Sequence, residues 1–251
     1  MPKESRLQDI LNILDEHSPT TAEQLSQNLF TSLPTIYRDL RELSRRKLIV
    51  HNRGLVQRAQ PQTVTTPLDF RRAIQAKEKA AIAKAAAGLI QPGSTVFIDA
   101  STTASYLIPE LEGQEDITVL TNGLVTAMLL KRAGIRTYCL GGGLVENSLA
   151  VSGQSTIELV RRFRIDTMLF SAYGISPSGM IVDPSEGELS LRRYILRHTG
   201  VSVLLCDHSK FGKTSLFNMA PLTAVDYLVT DARPTPEEAP VRQQVITVPV
   251  P

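Results

Sequence analysis

The sequence predicts an α/β protein with a small N-terminal winged helix-turn-helix and a larger unit built on a mostly parallel sheet. Three observations predict this class. Apolar residues recur at helical spacing in the first part of the chain, strands and helices alternate after Gly93, and a polar stretch with two prolines separates the two patterns. We place the boundaries at residues 1–58, 59–75 and 76–251, with the middle range as a linker.

The first part of the chain predicts three short helices. Apolar residues recur at helical spacing from Leu7 to Leu14. Thr21 is a candidate N-cap for a second helix, TAEQLSQNL, and Ser32 for a third, LPTIYRDLRELSRRKL. Pro34 is tolerated there because a helix has no partner for the N–H groups of its first turn.

A basic hairpin signal follows the third helix. Two β-prone runs, at residues 48–51 and 55–58, flank the turn sequence Asn-Arg-Gly. Residues 41–60 hold six basic residues against one acid, although the whole chain has a net charge of only +2. This excess indicates contact with a polyanion, and the plainer alternative is a solvated helix end.

Three short helices and a basic wing favour DNA binding over a helical domain that binds protein. The third helix would lie in the major groove, with the residues near its N-terminus at base edges and the later arginines at phosphates. The predicted DNA-binding residues are Ser32, Thr35, Tyr37, Arg38, Arg41, Arg45, Arg46 and, in the wing, Arg53.

The larger unit begins with an Ala-rich helical run from Arg71 and then alternates strands with helices. The predicted strands are TVFID, ITVLT, RTYCLGGG, DTMLFSAYGI, VSVLLCDHSKFG, VDYLVTDAR and QVITVPV; the segment TASYLIPEL between the first two predicts a helix. Fully apolar strands alternating with helices are typical of a parallel sheet covered on both faces.

Polar loops follow five of these strands, and in open α/β sheets the carboxyl ends of the strands form the ligand crevice. Hydroxyls and backbone amides at a helix N-terminus, together with the charge of Lys210, suit a phosphate, and Asp99 and Asn122 suit hydroxyl groups. A phosphorylated sugar or polyol meets both needs. The predicted effector-binding residues are Asp99, Ser101, Thr102, Thr103, Thr121, Asn122, Gly142, Tyr173, Gly174, Glu186 and Lys210.

Each loop also has a plainer interpretation. Ser101 can be a helix cap, and the glycines around Gly142 can allow close passage of the backbone. Glu186 can simply interact with the helix macrodipole, and we leave that role and a ligand role open. The glycine triplet has neither the dinucleotide nor the P-loop spacing, so nucleotide binding is not supported.

Composition excludes several classes of protein. With 42% hydrophobic and 21% charged residues, the chain is typical of globular proteins, and no apolar run approaches the roughly 20 residues that span a bilayer. Cys139 and Cys206 lie in apolar runs, which predicts buried thiols in a reducing cytoplasm. The four histidines are scattered, and none pairs with a cysteine or a second histidine at ligand spacing, so we expect no metal. We expect no cofactor either.

At this point the chain resembles the DeoR-type family of bacterial transcription regulators over nearly its whole length. The N-terminal match is SLPTIYRDLRELSRRKLIVHNRG, and the C-terminal matches are IDASTT, LTNG, LGGG, SAYGI, EGELSLRR and DHSKFG followed by VDYLVTD. Three positions differ from the family pattern. Tyr37 stands where the family usually has the first arginine of an Arg-Arg-Asp triplet, and the wing has HNRGLV where the family commonly has a His-Gly-Gly-Ala type of sequence. Ala100-Ser101 stands where a Ser-Gly pair is usual.

The resemblance implies a C-terminal domain similar in fold to ribose-5-phosphate isomerase that senses a phosphorylated sugar without turning it over. It also implies homo-oligomers that repress, or occasionally activate, carbohydrate-use operons. The expected partners are double-stranded operator DNA, a phosphorylated sugar or polyol, and further copies of the chain; we expect no membrane contact and a cytoplasmic, nucleoid-associated location.

Two other functions remain to be weighed. A sugar-phosphate isomerase with an appended helical domain would need a carboxylate base, for which Glu186 is the candidate, with Lys210 polarising a carbonyl. A basic winged unit has no role in isomerisation, which favours the regulator. The third possibility is an interaction module that neither binds DNA nor senses a ligand.

Overall fold

The computed structural model describes residues 3–16, 20–46, 48–52, 55–58, 68–114, 116–145, 148–232 and 244–250. It divides into two compact units, Met1–Ile74 and Gln75–Pro251.

The first unit is a winged helix-turn-helix. Its elements are α1 (Lys3–Glu16), β1 (Thr20–Thr21), α2 (Ala22–Asn28), α3 (Leu33–Arg45), β2 (Ile49–Asn52), β3 (Leu55–Arg58) and α4 (Leu68–Ala73). The three strands form an antiparallel sheet in the order β1-β3-β2. Thr21 caps α2 as predicted: its hydroxyl accepts from the Gln24 amide, and its own amide donates to Gln24 Oε1 at 2.9 Å.

The core of this unit is aliphatic. It consists of one face from each of the first three helices together with residues of the hairpin, namely Leu7, Ile10, Leu11, Leu14, Ala22, Leu25, Ile36, Leu40, Leu43, Leu48, Ile49 and Val56. The same spacing that predicted the helices therefore also gives the faces that pack together.

The second unit is a three-layer α/β domain. Its helices are α5 (Ala76–Ala87), α6 (Thr102–Ser105), α7 (Leu124–Arg132), α8 (Gln154–Val160) and α9 (Glu186–Leu196). Its strands are β4 (Thr95–Ile98), β5 (Thr118–Thr121), β6 (Arg136–Cys139), β7 (Gly143–Leu144), β8 (Val151–Ser152), β9 (Ile165–Phe170), β10 (Gly174–Ile175), β11 (Met180–Asp183), β12 (Thr199–Leu205), β13 (Phe217–Pro221), β14 (Tyr227–Thr230) and β15 (Gln244–Thr247).

Seven of these strands form one parallel sheet in the order β15-β14-β12-β9-β4-β5-β6. Apolar side chains on its two faces belong to two separate core clusters, one including residues of α5 and the other residues of α9. Burial on both faces explains why the strands are continuously apolar, which confirms the predicted layers.

Two predicted helices are interrupted. The Ala-rich run from Arg71 is broken, because Gln75 adopts φ +50 between α4 and α5, a left-handed conformation that no α-helix contains. The segment TASYLIPEL forms the four-residue α6 and then a 3₁₀ turn at Ile108–Leu111. Pro109 has no N–H to donate and clashes with the carbonyl four residues earlier, so the α-helix cannot continue.

The structure also contains a feature that the sequence pattern did not predict. Strands β10, β11 and β13 form a small antiparallel sheet beside the main one. Its strands are two to five residues long, too short to show a clear alternation of apolar and polar residues.

The cysteine prediction is half right. Cys206 is buried, but Cys139 is exposed because it lies on β6, the outermost strand of the main sheet. In the described parts of the chain, no helix has the length and apolarity needed to cross a bilayer.

Candidate nucleic-acid interface and ligand site

Helix α3 presents a basic face. Ile36, Leu40 and Leu43 face the core. The arginines Arg38, Arg41 and Arg45 follow one another at helical spacing and are exposed. Ser32 and Tyr37 are exposed as well, and Thr35 is half-buried. Among the described residues, neither Arg38 nor Arg41 takes part in a salt bridge, so both guanidinium groups are available to a phosphate or a base.

The start of α3 differs from the expected cap. Ser32 is the N-cap, but its hydroxyl makes no hydrogen bond to the helix backbone. It lies 2.9 Å from the Thr35 hydroxyl instead. The two hydroxyls therefore form an exposed polar pair at the N-terminal end of the helix, which is the end expected at base edges.

The last turn of α3 is held inside the unit. Arg46 donates to Glu42 at 2.7 Å and to both carboxylate oxygens of Glu4 on α1, at 2.9 and 3.0 Å. Arg45 also donates to Glu42, at 2.8 Å, and these two arginines lower the pKa of Glu42 to about 2. Arg46, predicted to contact phosphate, thus has a structural role, whereas Arg45 remains exposed.

A second salt bridge between α1 and α3 was not predicted from the sequence. Asp39 is buried, and Arg6 donates to its two oxygens at 2.5 and 3.2 Å. The available signal was position, because Asp39 falls on the same helical face as Ile36 and Leu43. A carboxylate on an apolar face requires a cation, and α1 supplies one.

The wing is present as the hairpin of β2 and β3, with Asn52 paired to Leu55. Its base is attached to α1, because Arg58 donates to Asp15 at 2.7 Å. The predicted contact Arg53 lies outside the described residues.

In the second unit, the strand order defines a candidate ligand crevice. The chain proceeds from β4 to β5 and β6 in one direction, then places β9 on the other side of β4 and continues outward to β12. The carboxyl ends of β4 and β9 therefore flank the point where the strand order reverses, which is where open α/β sheets bind ligands. The loops that begin at Asp99 and Ser171 border this point.

Lys210 joins three of the predicted loops. It lies in the loop after β12, and its Nζ donates to Ser171 Oγ at 2.5 Å and to Thr103 Oγ1 at 3.4 Å. Burial by itself would raise the pKa of nearby Asp207, but Lys210 and Ser209 lower it below its ordinary value. The crevice thus contains a half-buried ammonium group surrounded by hydroxyls, with an ionised carboxylate beside it.

Asp99 has a different role from the one predicted. Its carboxylate is buried and accepts hydrogen bonds from the amide and hydroxyl of Ser101, from the Ser171 amide, and from Arg192 Nε at 3.0 Å. Burial raises the pKa of Asp99, against the opposing charge of Arg192. These contacts occupy both oxygens, so Asp99 shapes the loop and does not present a free acceptor to a ligand hydroxyl.

Arg192 on α9 is a site residue that the sequence reasoning did not identify. It is buried and also donates to Asp183 at 2.9 Å and to Glu188 at 2.8 Å. Burial opposes its charge, but the three carboxylates raise the pKa of Arg192 further above its ordinary value. The i,i+4 pair of Glu188 and Arg192 was visible in the sequence, whereas the partner 93 residues away was not.

The residues after Asp99 form the wall of the crevice. Ser101 caps α6 by accepting from the Ala104 amide at 3.2 Å, while Thr102 and Thr103 are buried. Because α6 has only four residues, its dipole contributes little. The polar groups along this wall are hydroxyls and backbone amides, and Lys210 Nζ lies opposite them, 3.4 Å from Thr103 Oγ1.

The loops after β5 and β6 are built from internal contacts. Asn122 accepts from the Ala100 amide at 3.1 Å and donates to the Val151 carbonyl at 3.2 Å, and Thr121 Oγ1 accepts from the Gly123 amide. Gly142 has φ +152, and a Cβ there would lie only 2.7 Å from the backbone carbonyl oxygen of Ser152. Close backbone passage, one of the two interpretations of the glycine triplet, therefore accounts for this glycine.

The remaining predicted residues lie near the small antiparallel sheet. Tyr173 is half-buried just before β10, and a Cβ on Gly174 would meet Lys213 at 2.4 Å, so only glycine fits. Glu186 is exposed in the first turn of α9, whereas Glu188 turns inward to Arg192. Of the two acids in this turn, Glu186 is thus the one that remains accessible.

Comparison with known proteins agrees with this division. Residues 6–62 match the DeoR-like helix-turn-helix domain, and residues 74–232 match the DeoR C terminal sensor domain. A DNA-binding domain followed by a sensor domain defines a transcriptional regulator that responds to a ligand. The chain belongs to the DeoR family of such regulators.

Curated relatives cover nearly the whole chain. The glycerol-3-phosphate regulon repressor of Escherichia coli is 31% identical, over 93% of each chain. The transcriptional repressor GlcR of Bacillus subtilis is 34% identical, over 93% of this chain and 90% of its own, and the L-fucose operon activator of Escherichia coli is 32% identical, over 92% and 96%. These relatives are regulators and not enzymes, so the isomerase alternative is set aside.

Two solved structures align with the chain. The eIF2B delta of Chaetomium thermophilum aligns with a TM-score of 0.51 at 12% identity, over 90% of this chain and 88% of its own. Ribose 5-phosphate isomerase A of Methanocaldococcus jannaschii aligns with a TM-score of 0.41 at 16% identity, over 53% of each chain.

Proposed function

We propose that this regulator represses a carbohydrate-use operon. A phosphorylated sugar or polyol, bound at the carboxyl ends of β4 and β9, modulates its affinity for operator DNA. The observation that carries the proposal is Lys210. Its ammonium group lies at the strand-order reversal with the Ser171 hydroxyl at 2.5 Å, in a crevice bordered by amides and further hydroxyls.

The chemistry of the crevice favours a phosphate ester over a neutral sugar. A lysine and clustered hydroxyls supply charge-assisted hydrogen bonds, which are about twice as strong as neutral ones. With Asp99 occupied by Arg192, the accessible groups for sugar hydroxyls are Glu186 and Tyr173. The phosphate thus provides most of the affinity, and the exposed Glu186 and half-buried Tyr173 select the rest of the molecule.

On the DNA side, α3 supplies the readout. We assign base contacts to Thr35, Tyr37 and Arg38, near its N-terminal end, and phosphate contacts to Arg41 and Arg45. The names of two relatives, a repressor of a glycerol-3-phosphate regulon and an activator of an L-fucose operon, support carbohydrate-related targets and show that the sign of regulation varies in the family. We further propose homo-oligomers, which suit paired half-sites, in the cytoplasm.

The test is operator binding by fluorescence anisotropy, with DNA from upstream of the protein's own and adjacent genes. We expect a phosphorylated sugar to change operator affinity and its unphosphorylated form to have no effect. Loss of a charged hydrogen bond costs about 1.5–3 kcal/mol. Lys210→Met should therefore raise the sugar-phosphate concentration that gives a half-maximal response about tenfold or more. Lys131→Met, on the exposed end of α7, is the matched control.

Two outcomes would count against the proposal separately. If Arg38→Ala binds operator as tightly as the wild type, the docking of α3 is wrong. If Lys210→Met responds to sugar phosphates like the wild type and the control, the assigned crevice is wrong even though the protein binds DNA. Coupling also requires that the effector bind the DNA-bound and released states with different affinities.

A further inference from the structure

Three side chains of types that can ligate a metal ion meet beside the crevice but belong to none of the contacts described so far. Glu78 is in the first turn of α5, His208 follows β12, and Asp231 follows β14. One potential ligand atom from each lies within 4.8 Å of the other two. Three separate segments of the chain therefore bring an imidazole and two carboxylates to one point.

The imidazole of His208 is fixed in orientation. Its Nδ1 lies 2.5 Å from Asp231 Oδ2, and the backbone amide of His208 donates to Asp231 Oδ1 at 2.6 Å. On the other side of the ring, Nε2 lies 3.1 Å from Gln75 Nε2. The ring thus has both nitrogens in defined positions, although almost half of the side chain is exposed.

Glu78 supplies the second observation. Within the described residues, its half-buried carboxylate has neither a salt bridge nor a hydrogen bond. Two carboxylates against one imidazole leave negative charge at this point, which a divalent cation would neutralise.

We propose that Glu78, His208 and Asp231 form a binding site for a divalent transition-metal ion, with Zn²⁺ as the best match. One nitrogen with two carboxylate oxygens is a ligand set that zinc accepts, and three protein ligands leave a fourth position for water. The ion would replace the proton between Nδ1 and Oδ2. With metal–ligand distances of about 2.0–2.2 Å, donors in a tetrahedral site stand about 3.3–3.5 Å apart, so rearrangements of roughly 1 Å suffice.

The site would join α5 to the loops after β12 and β14. Because His208 is two residues from Lys210, a bound ion would hold the loop that carries the crevice's ammonium group. The metal site does not depend on the proposed effector response, and failure to bind metal would leave that response untouched.

The experiment uses the untagged full-length chain carrying Cys139→Ser, so that the exposed thiol does not bind zinc. After chelator treatment, Zn²⁺ alone is titrated by calorimetry, and Co²⁺ serves as a spectroscopic probe of tetrahedral coordination. We expect one ion per chain. His208→Ala and the isosteric Glu78→Gln should each weaken binding at least about tenfold.

His198→Ala is the matched control, because His198 is another exposed imidazole, located after α9 and stacked on Tyr194 at a centroid distance of 4.2 Å. It should bind the ion like the parent, and circular dichroism should show that all three variants are folded. Absence of saturable binding of Zn²⁺ and Co²⁺ would overturn the proposal. Equal affinity in Glu78→Gln, His208→Ala and the parent would do the same.

Discussion

Replacing Arg192 by methionine should destabilise the sensor domain more than any surface substitution. The guanidinium group donates to Asp99, Asp183 and Glu188 at 2.8–3.0 Å, and the side chain is only 6% exposed. Removing one partner of a buried ion pair costs about 3–5 kcal/mol. We expect a loss in that range and not three times as much, because the stranded carboxylates can take up protons.

Urea unfolding followed by tyrosine fluorescence measures this loss. The chain has no tryptophan, and five of its six tyrosines lie in the second unit, so the signal reports mainly on the sensor domain. A loss of about 4 kcal/mol at an m-value of about 2 kcal/mol/M lowers the midpoint by about 2 M. The control is Arg197→Met, an exposed arginine that ends α9.

The reasoning would be refuted if Arg192→Met lost no more stability than Arg197→Met, for which about 0.5 kcal/mol or less is expected.

A pH series on Asp99→Asn gives an independent check. Because folding raises the pKa of Asp99 above 3.8, the folded state binds more protons, and this group's contribution to stability falls as pH rises above that value. Asp99→Asn should remove that decline, and an unchanged pH profile would contradict it.

Three further predictions concern the separate roles of neighbouring residues. Arg41→Ala should reduce the slope of log affinity against log salt by about 1, as for one lost phosphate contact, whereas Arg46→Ala should lower the melting temperature of the first unit with a smaller change in that slope. Folding lowers the pKa of Glu42 to about 2, so this carboxylate stabilises the folded state above pH 4.5, its ordinary pKa, and that contribution is lost as pH falls toward 2. Glu42→Gln should therefore reduce the loss of stability between pH 4.5 and 2, which is measured by circular dichroism. In the anisotropy assay, Thr102→Ala should weaken the effector response while Ser101→Gly retains it, because the Ser101 hydroxyl already accepts from the Ala104 amide and donates to Asp99. An unchanged response in both Thr102→Ala and Thr103→Ala would return the loop to a plain helix cap.

The sequence by itself determined the local order of both domains. Periodic apolar residues placed the three N-terminal helices, and Thr21 was predicted as the N-cap that the structure shows for α2. Apolar strands followed by polar loops placed the candidate ligand site at the carboxyl edge of the sheet. These features depend on residues within a few positions of one another, so a linear pattern can reveal them.

Only the tertiary structure decided which polar groups are occupied. Asp99 looked accessible in sequence, but Arg192 approaches it from 93 residues away. Arg46 looked like a phosphate contact, but Glu4 on α1 holds it, and Cys139 is exposed because β6 is the sheet's outer strand. Burial and charge pairing depend on which distant segments the fold brings together, and those contacts leave no periodic signal in the chain.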